Sequence, residues 1–211
     1  MKTTIGIIDD HTLFAKSLGL MLRSFRNYEV VIEAANGRDL QAKISSGKPL
    51  PDIMLIDVNM PVMNGLETAK WLSVTHPGIR LVALSMNDED NIIINMLKSG
   101  CCAYLLKETH PDELEKALDE ITAKGYYNAD AGNIRFRREE TEKEALPQIN
   151  DREKLFLQHA CSDLTYKEVA TLMNLSERTI DGYREALFRK LNVQSRVGLA
   201  MEAIRRGLVA L

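Results

Sequence analysis

Long apolar runs are missing from this chain. No stretch of its 211 residues approaches the about 18 consecutive apolar positions that a membrane-spanning helix needs. Met1-Lys2 leads into a short apolar run that stops at Asp9-Asp10, which is not the layout of a secretory leader. Cysteine is scarce. Cys101, Cys102 and Cys161 form an odd set, two of them adjacent and none at zinc-ligand spacing. That set excludes a disulfide framework and points to reduced, buried thiols in a cytoplasmic protein. A strong charge of one sign is lacking as well: the net charge is −3, so no global field directs the chain to nucleic acid. The charge is unevenly shared, however. Residues 148–211 carry 10 Lys+Arg against 8 Asp+Glu, and residues 1–147 carry 17 against 22. A weakly basic part thus follows an acidic one, which suggests two parts with different partners.

What is present is a set of short apolar runs with reactive side chains at their ends. Ile53-Met54-Leu55-Ile56 ends on Asp57, and Thr4-Ile5-Gly6-Ile7-Ile8 ends on Asp9-Asp10. Leu81-Val82-Ala83-Leu84 ends on Ser85, and Ala103-Tyr104-Leu105-Leu106 ends on Lys107. Such runs read as buried parallel strands, whose C-terminal ends open onto the crevice where α/β sheets bind ligands. Three acids, a hydroxyl and a lysine at four strand ends suit a divalent cation and a phosphoryl group.

Residues 1–124 alternate between strand-like and helix-like patterns. Strands are expected near 4–9, 30–35, 52–57, 80–85 and 103–107. Helices are expected near 12–25, 37–46, 65–75, 88–99 and 111–124, the last with Pro111 in its first turn. Five strands each followed by a helix predict an α/β doubly wound, flavodoxin-like parallel sheet, and the acids at the ends of the first and third strands would flank a topological switch if its order is 2-1-3-4-5. Residues 125–147 lose the pattern at Gly132 and the Arg135–Glu144 charge run and read as a linker. Residues 148–211 predict a small all-α domain of four helices. Asn150…Glu153 and Thr165…Glu168 are capping-box pairs, Ser176 and Ser195 are good N-caps, and Gly207 suits a helix end. Lys167–Met173, a turn at 174–176 and Glu177–Leu191 read as a helix-turn-helix with Ile180, Tyr183, Leu187 and Leu191 inward.

At these residues the chain resembles the two-component response regulators of the NarL/FixJ class, in which a phosphoacceptor receiver is joined to a LuxR-type helix-turn-helix. Asp9-Asp10-His11, Asp57-Val58-Asn59-Met60-Pro61, Asn64-Gly65, Ala83-Leu84-Ser85-Met86 and Tyr104-Leu105-Leu106-Lys107 match receiver motifs in order and spacing. Glu168-Val169-Ala170, Leu175 to Ile180 and Arg189 to Val193 match the DNA-binding part. The resemblance implies that Asp57 is the phosphoacceptor and that Mg²⁺ is held by Asp9, Asp10, Asp57 and the backbone carbonyl of Asn59. It implies that Lys107 balances phosphoryl charge and that Ser85 and Tyr104 form the switch. The implied partners are a sensor histidine kinase, double-stranded promoter DNA and a second copy of the chain on phosphorylation, in the cytoplasm.

In a helix-turn-helix the second helix enters the major groove. Arg178, Thr179, Asp181, Gly182, Arg184, Glu185 and Arg189 fall outside its inward stripe. Arg184 and Thr179 are the first candidates for base contact, with Arg178 and Asp181 beside them, and Lys190, Lys167 and Arg196 are candidate phosphate partners. Two positions depart from the family pattern. Asp181 stands where lysine is usual, able to accept from cytosine N4 or to repel phosphate. Gly182 replaces a larger polar residue, at a cost of roughly 1 kcal/mol of helix stability relative to alanine.

The leading reading is a phosphorylation-switched transcription regulator with no turnover chemistry beyond Asp57 itself. A Mg²⁺-dependent phosphohydrolase on the same fold is disfavoured because Asn59, not an acid, follows Asp57 by two positions. A receiver-linked protein-interaction module that has lost DNA binding is the alternative, and Asp181 is its best support.

Overall fold

The structure is a computed structural model and describes residues 2–128 and 148–209. It divides into two compact units, each described by itself. The expected linker segment 129–147, with its charge run, lies outside the described residues.

The first unit is a five-stranded sheet ordered β2-β1-β3-β4-β5. Its strands are β1 (Thr3–Ile8), β2 (Tyr28–Ala34), β3 (Ile53–Asp57), β4 (Arg80–Ser85) and β5 (Cys101–Leu106). All four pairings are parallel. The helices of residues 2–128 are α1 (Thr12–Ser24), α2 (Gly37–Ser45), α3 (Gly65–Thr75), α4 (Asp90–Lys98) and α5 (Pro111–Lys124). β3 is buried along its whole length, as a central parallel strand covered on both faces should be. The order reverses between β1 and β3, the strands whose ends carry the acids, so the ligand crevice forms there.

Several strand boundaries shift by one or two residues from the sequence reading. β1 and β5 stop one residue short of Asp9 and Lys107, which therefore project from loops just past the strand ends. β2 begins two residues early because Tyr28 is a core residue, its ring edge-on to Phe25 and its hydroxyl donating to Asp119 on α5. Burial and that neighbouring carboxylate push the Tyr28 hydroxyl well above the ordinary tyrosine range. The unit also runs past Lys124. Gly125 closes α5 in the left-handed conformation (φ 86°), and Tyr127, placed in the linker by sequence, is buried in the core. Its amide donates to Cys102 O at 3.2 Å.

The second unit contains α6 (Asp151–Ala160), α7 (Tyr166–Leu172), α8 (Glu177–Leu191) and α9 (Arg196–Arg205). All four expected caps form. Asn150 and Thr165 make reciprocal capping boxes with Glu153 and Glu168, and Ser176 and Ser195 accept from the third amide of their helices. Phe156, Leu157, Val169, Ile180, Leu187, Leu191 and Leu199 build the core. Removing these side chains from water is what holds such short helices together, since none would persist alone. The inward stripe of α8 is as read, with Tyr183 only partly buried at its edge.

Candidate functional site

Four strand ends converge on one acidic crevice. The side chains of Asp9, Asp57 and Lys107 are sealed from solvent to 4% exposure or less, while Asp10 is about one-third exposed. Lys107 Nζ lies 2.7 Å from Asp9 Oδ2 and 2.9 Å from Asp57 Oδ2. Those two oxygens are buried, yet neither receives a well-directed hydrogen bond, so the contacts to Lys107 are ionic. The far side of the Lys107 ammonium lies 4.8 Å from the centre of the Phe14 ring. Backbone geometry holds the lysine in place: its amide donates to Ser85 O at 2.7 Å, tying the end of β5 to the end of β4.

The electrostatics follow from this arrangement. Burial raises the Asp57 pKa, Asp9 raises it further, and Lys107 opposes both. Burial disfavours the charge on Lys107, but the two close carboxylates more than offset this and hold it above the ordinary lysine range. One ammonium thus faces three acids. Ligand atoms of Asp9, Asp10, His11 and Asp57 all lie within 4.8 Å of one another. A hard dication suits that oxygen-rich, under-neutralised set, and the two buried oxygens without directed donors are the atoms it would satisfy.

The loop after Asp57 is tightly bound. Gly65 opens α3 against the end of β3, and a Cβ there would sit 2.3 Å from Asp57 O. Only glycine permits that approach. Asn64 caps α3 in a capping box with Glu67, and Val62 takes a positive φ of 71°. The amide of Asn59 reaches Asp57 Oδ1 at 3.4 Å.

Ser85 is fully buried at the end of β4, and its Oγ accepts from the Asn87 amide at 3.1 Å. The Tyr104 hydroxyl donates to the Asn87 carbonyl. Burial raises the Tyr104 pKa, with Asp88, Glu89 and Asp57 adding to it and Ser85 opposing. Asn87 therefore bridges the two switch candidates. Neither Asn87 nor the ring of His11 was assigned a role from sequence. His11 Nδ1 lies 3.1 Å from Asp10 Oδ1 and 3.4 Å from Asp9 Oδ1. The adjacency of Asp9, Asp10 and His11 was the available signal, whereas nothing local marks Asn87.

On the helical unit, Arg178, Thr179, Asp181 and Arg184 gather on the N-terminal half of α8. Arg178 and Thr179 are exposed, although the Thr179 hydroxyl is 2.8 Å from the capping Ser176 hydroxyl. Arg184 is paired to Asp181 at 2.9 Å, and its guanidinium lies 5.6 Å from the Tyr166 ring centre. Lys167 is exposed on α7.

The remaining two candidate phosphate partners, Lys190 and Arg196, find acceptors within the unit. Lys190 Nζ lies 2.8 and 2.7 Å from the two carboxylate oxygens of buried Glu153, and donates to Gln148 O at 2.8 Å. Arg196 donates to the carbonyls of Ala160, Ser162 and Leu164 at 2.6–2.9 Å. These are the carbonyls that a helix end and its loop leave without partners.

Comparison with known proteins agrees with this geometry. The response regulator receiver domain family matches residues 5–119, and the luxR family of bacterial regulatory proteins matches residues 148–203. The chain is 31% identical to the nitrate/nitrite response regulator protein NarL of Escherichia coli strain K12, over 94% of this chain and 93% of that one. It is 28% identical to the transcriptional regulatory protein DegU of Brevibacillus brevis, over 99% and 95%. A structure of the Salmonella typhimurium response regulator RcsB shares the fold, with a TM-score of 0.56 and 19% identity over 94% and 96% of the two chains. The chain belongs to the two-component response regulators of this NarL and DegU type. It couples a receiver domain to a LuxR-type DNA-binding domain and acts in phosphorylation-dependent control of transcription. Both matching families are families of regulatory proteins. Among the described residues no helix is long and apolar enough to cross a membrane.

Proposed function

We propose that Asp57 is the residue that accepts the phosphoryl group, from a sensor histidine kinase in the cytoplasm. The observation that carries this is the sealed Asp57 carboxylate at the end of β3, 2.9 Å from Lys107 and beside Asp9. A carboxylate oxygen of Asp57 forms the new bond to phosphorus while the P–N bond of a phosphohistidine breaks and its electron pair returns to the imidazole. Asp9, Asp10, Asp57 and the carbonyl of Asn59 would hold Mg²⁺, which when bound neutralises charge on the phosphoryl oxygens. Lys107 adds a fixed positive charge to the same oxygens. Ser85 then turns its hydroxyl from the Asn87 amide toward the phosphoryl group, and Tyr104, tied to the Asn87 carbonyl, follows. That change favours pairing with a second copy and binding to double-stranded promoter DNA through α8. Arg178, Thr179, Asp181 and Arg184 are the contacts we assign, with Lys167 on phosphate. Lys190 and Arg196 act within the helical unit.

Intact mass after treatment with acetyl phosphate and Mg²⁺ tests the acceptor. One added phosphoryl group is expected, and none in Asp57→Asn. Equal labelling of the variant would assign the chemistry elsewhere. Mobility shifts on duplex DNA at two salt concentrations, with and without the phosphodonor, test the output.

A further inference from the structure

Among the described residues nothing accounts for a glycine at position 182. It is the sixth residue of the 15-residue α8, a place where glycine is nearly the poorest choice. Three internal reasons can keep a glycine in a helix, and none applies. The backbone does not need a positive φ there, since the positive-φ glycines of the described residues are Gly47, Gly100, Gly125 and Gly207. The helix does not end there, because it continues to Leu191. Among the described residues no neighbour presses on it: beyond its own helix backbone, a Cβ built at Gly182 meets nothing within 4 Å. The contrast with Gly65 and with Gly6, where a Cβ would lie 2.5 Å from Met54 Sδ, is complete.

Its position supplies an external reason. At 100° per residue, Gly182 lies on the side of α8 opposite the buried Ile180, Leu187 and Leu191. Arg178 one turn before it and Glu185 one turn after are both exposed. The outermost line of α8 therefore carries a notch framed by two long side chains. A helix with side chains is about 10–12 Å across and the major groove about 12 Å wide, so a missing side chain on the outer line lets the backbone sit deeper.

We propose that Gly182 is the point at which α8 approaches the floor of the DNA major groove most closely, making it a specificity-determining residue of the DNA interface. This rests on the DNA-binding reading above. The small notch brings Arg178 and Glu185 within reach of base edges that a bulkier residue at 182 would hold them away from.

The test uses the full chain with acetyl phosphate and Mg²⁺, and a pool of randomised duplexes enriched on the unsubstituted protein. Gly182→Ala should raise the thermal midpoint of the helical unit by about 4–8 °C, because alanine is the better helix former and fits without a clash. The same variant should bind the enriched duplex about tenfold more weakly, and Gly182→Leu more weakly still. The salt slope should stay unchanged, since no charge on phosphate is lost. Self-association of the phosphorylated chain should also stay unchanged. A raised midpoint with unaltered DNA affinity overturns the proposal. So does a lowered midpoint, which would mean that the glycine serves packing. Loss of self-association with intact DNA binding would put a second copy of the chain, not DNA, against the notch. If the unsubstituted chain enriches no duplex, the DNA-binding reading falls first and this inference with it.

Discussion

Lys190→Met separates a structural cation from a DNA contact. In the structure the Lys190 ammonium is within 2.8 Å of both oxygens of Glu153, whose side chain is 5% exposed. Removing one partner of a buried pair costs about 3–5 kcal/mol, because the other charge is left without compensation. Two features reduce this. Lys190 is itself 34% exposed, so water screens the pair, and Glu153 keeps the Asn150 amide at 2.9 Å. A loss of about 2 kcal/mol is the reasonable outcome. For a unit of this size that lowers the midpoint by about 10 °C, measured by calorimetry on the full chain. The loss should depend on pH. Burial disfavours the ionised Glu153, but Lys190 and the Asn150 amide override it and hold the pKa below the ordinary glutamate range. The stabilisation is therefore present above that range and disappears as the pH falls through the lowered value. The variant and the parent should accordingly converge in acid. DNA titrations should show the same salt slope for both. An unchanged midpoint together with a salt slope smaller by about one would refute this assignment and return Lys190 to the phosphate-contacting set.

Two further outcomes are expected at the receiver site. Burial and Asp9 raise the Asp57 pKa, so ionised Asp57 opposes folding, and receiver stability falls as pH rises from the unfolded pKa to the raised one. Asp57→Asn should thus stabilise the receiver at neutral pH and weaken its further stabilisation by Mg²⁺, both read from thermal scans with and without the ion. A destabilised variant would mean that Lys107 outweighs the repulsion. Ser85→Ala should accept the phosphoryl group nearly as well as the parent by intact mass but show a weaker gain in DNA binding, because the hydroxyl acts after the chemistry. A full gain would remove Ser85 from the switch.

The sequence by itself determined the alternation of strands and helices, the helix caps of the C-terminal part and the reactive residues at the strand ends. The reason is that these are local or periodic properties. A run such as Ile53 to Ile56 must be buried on both faces, its final Asp57 must then emerge at a strand end, and Asn150, Thr165, Ser176 and Ser195 act within three residues of themselves. Only the tertiary structure decided where long or distant side chains find partners. The acceptors that Lys190 and Arg196 find inside the unit, Glu153 and the carbonyls of Ala160, Ser162 and Leu164, are more than thirty residues away along the chain. Tyr28 falls outside the expected second strand and Tyr127 within the expected linker, because the α5 carboxylates that receive their hydroxyls, Asp119 and Glu113, are brought to them by folding. Asn87 acquires its bridge between Ser85 and Tyr104 only when β4 and β5 pair. A flexible side chain chooses among acceptors in space, and spacing along the chain carries no record of that choice.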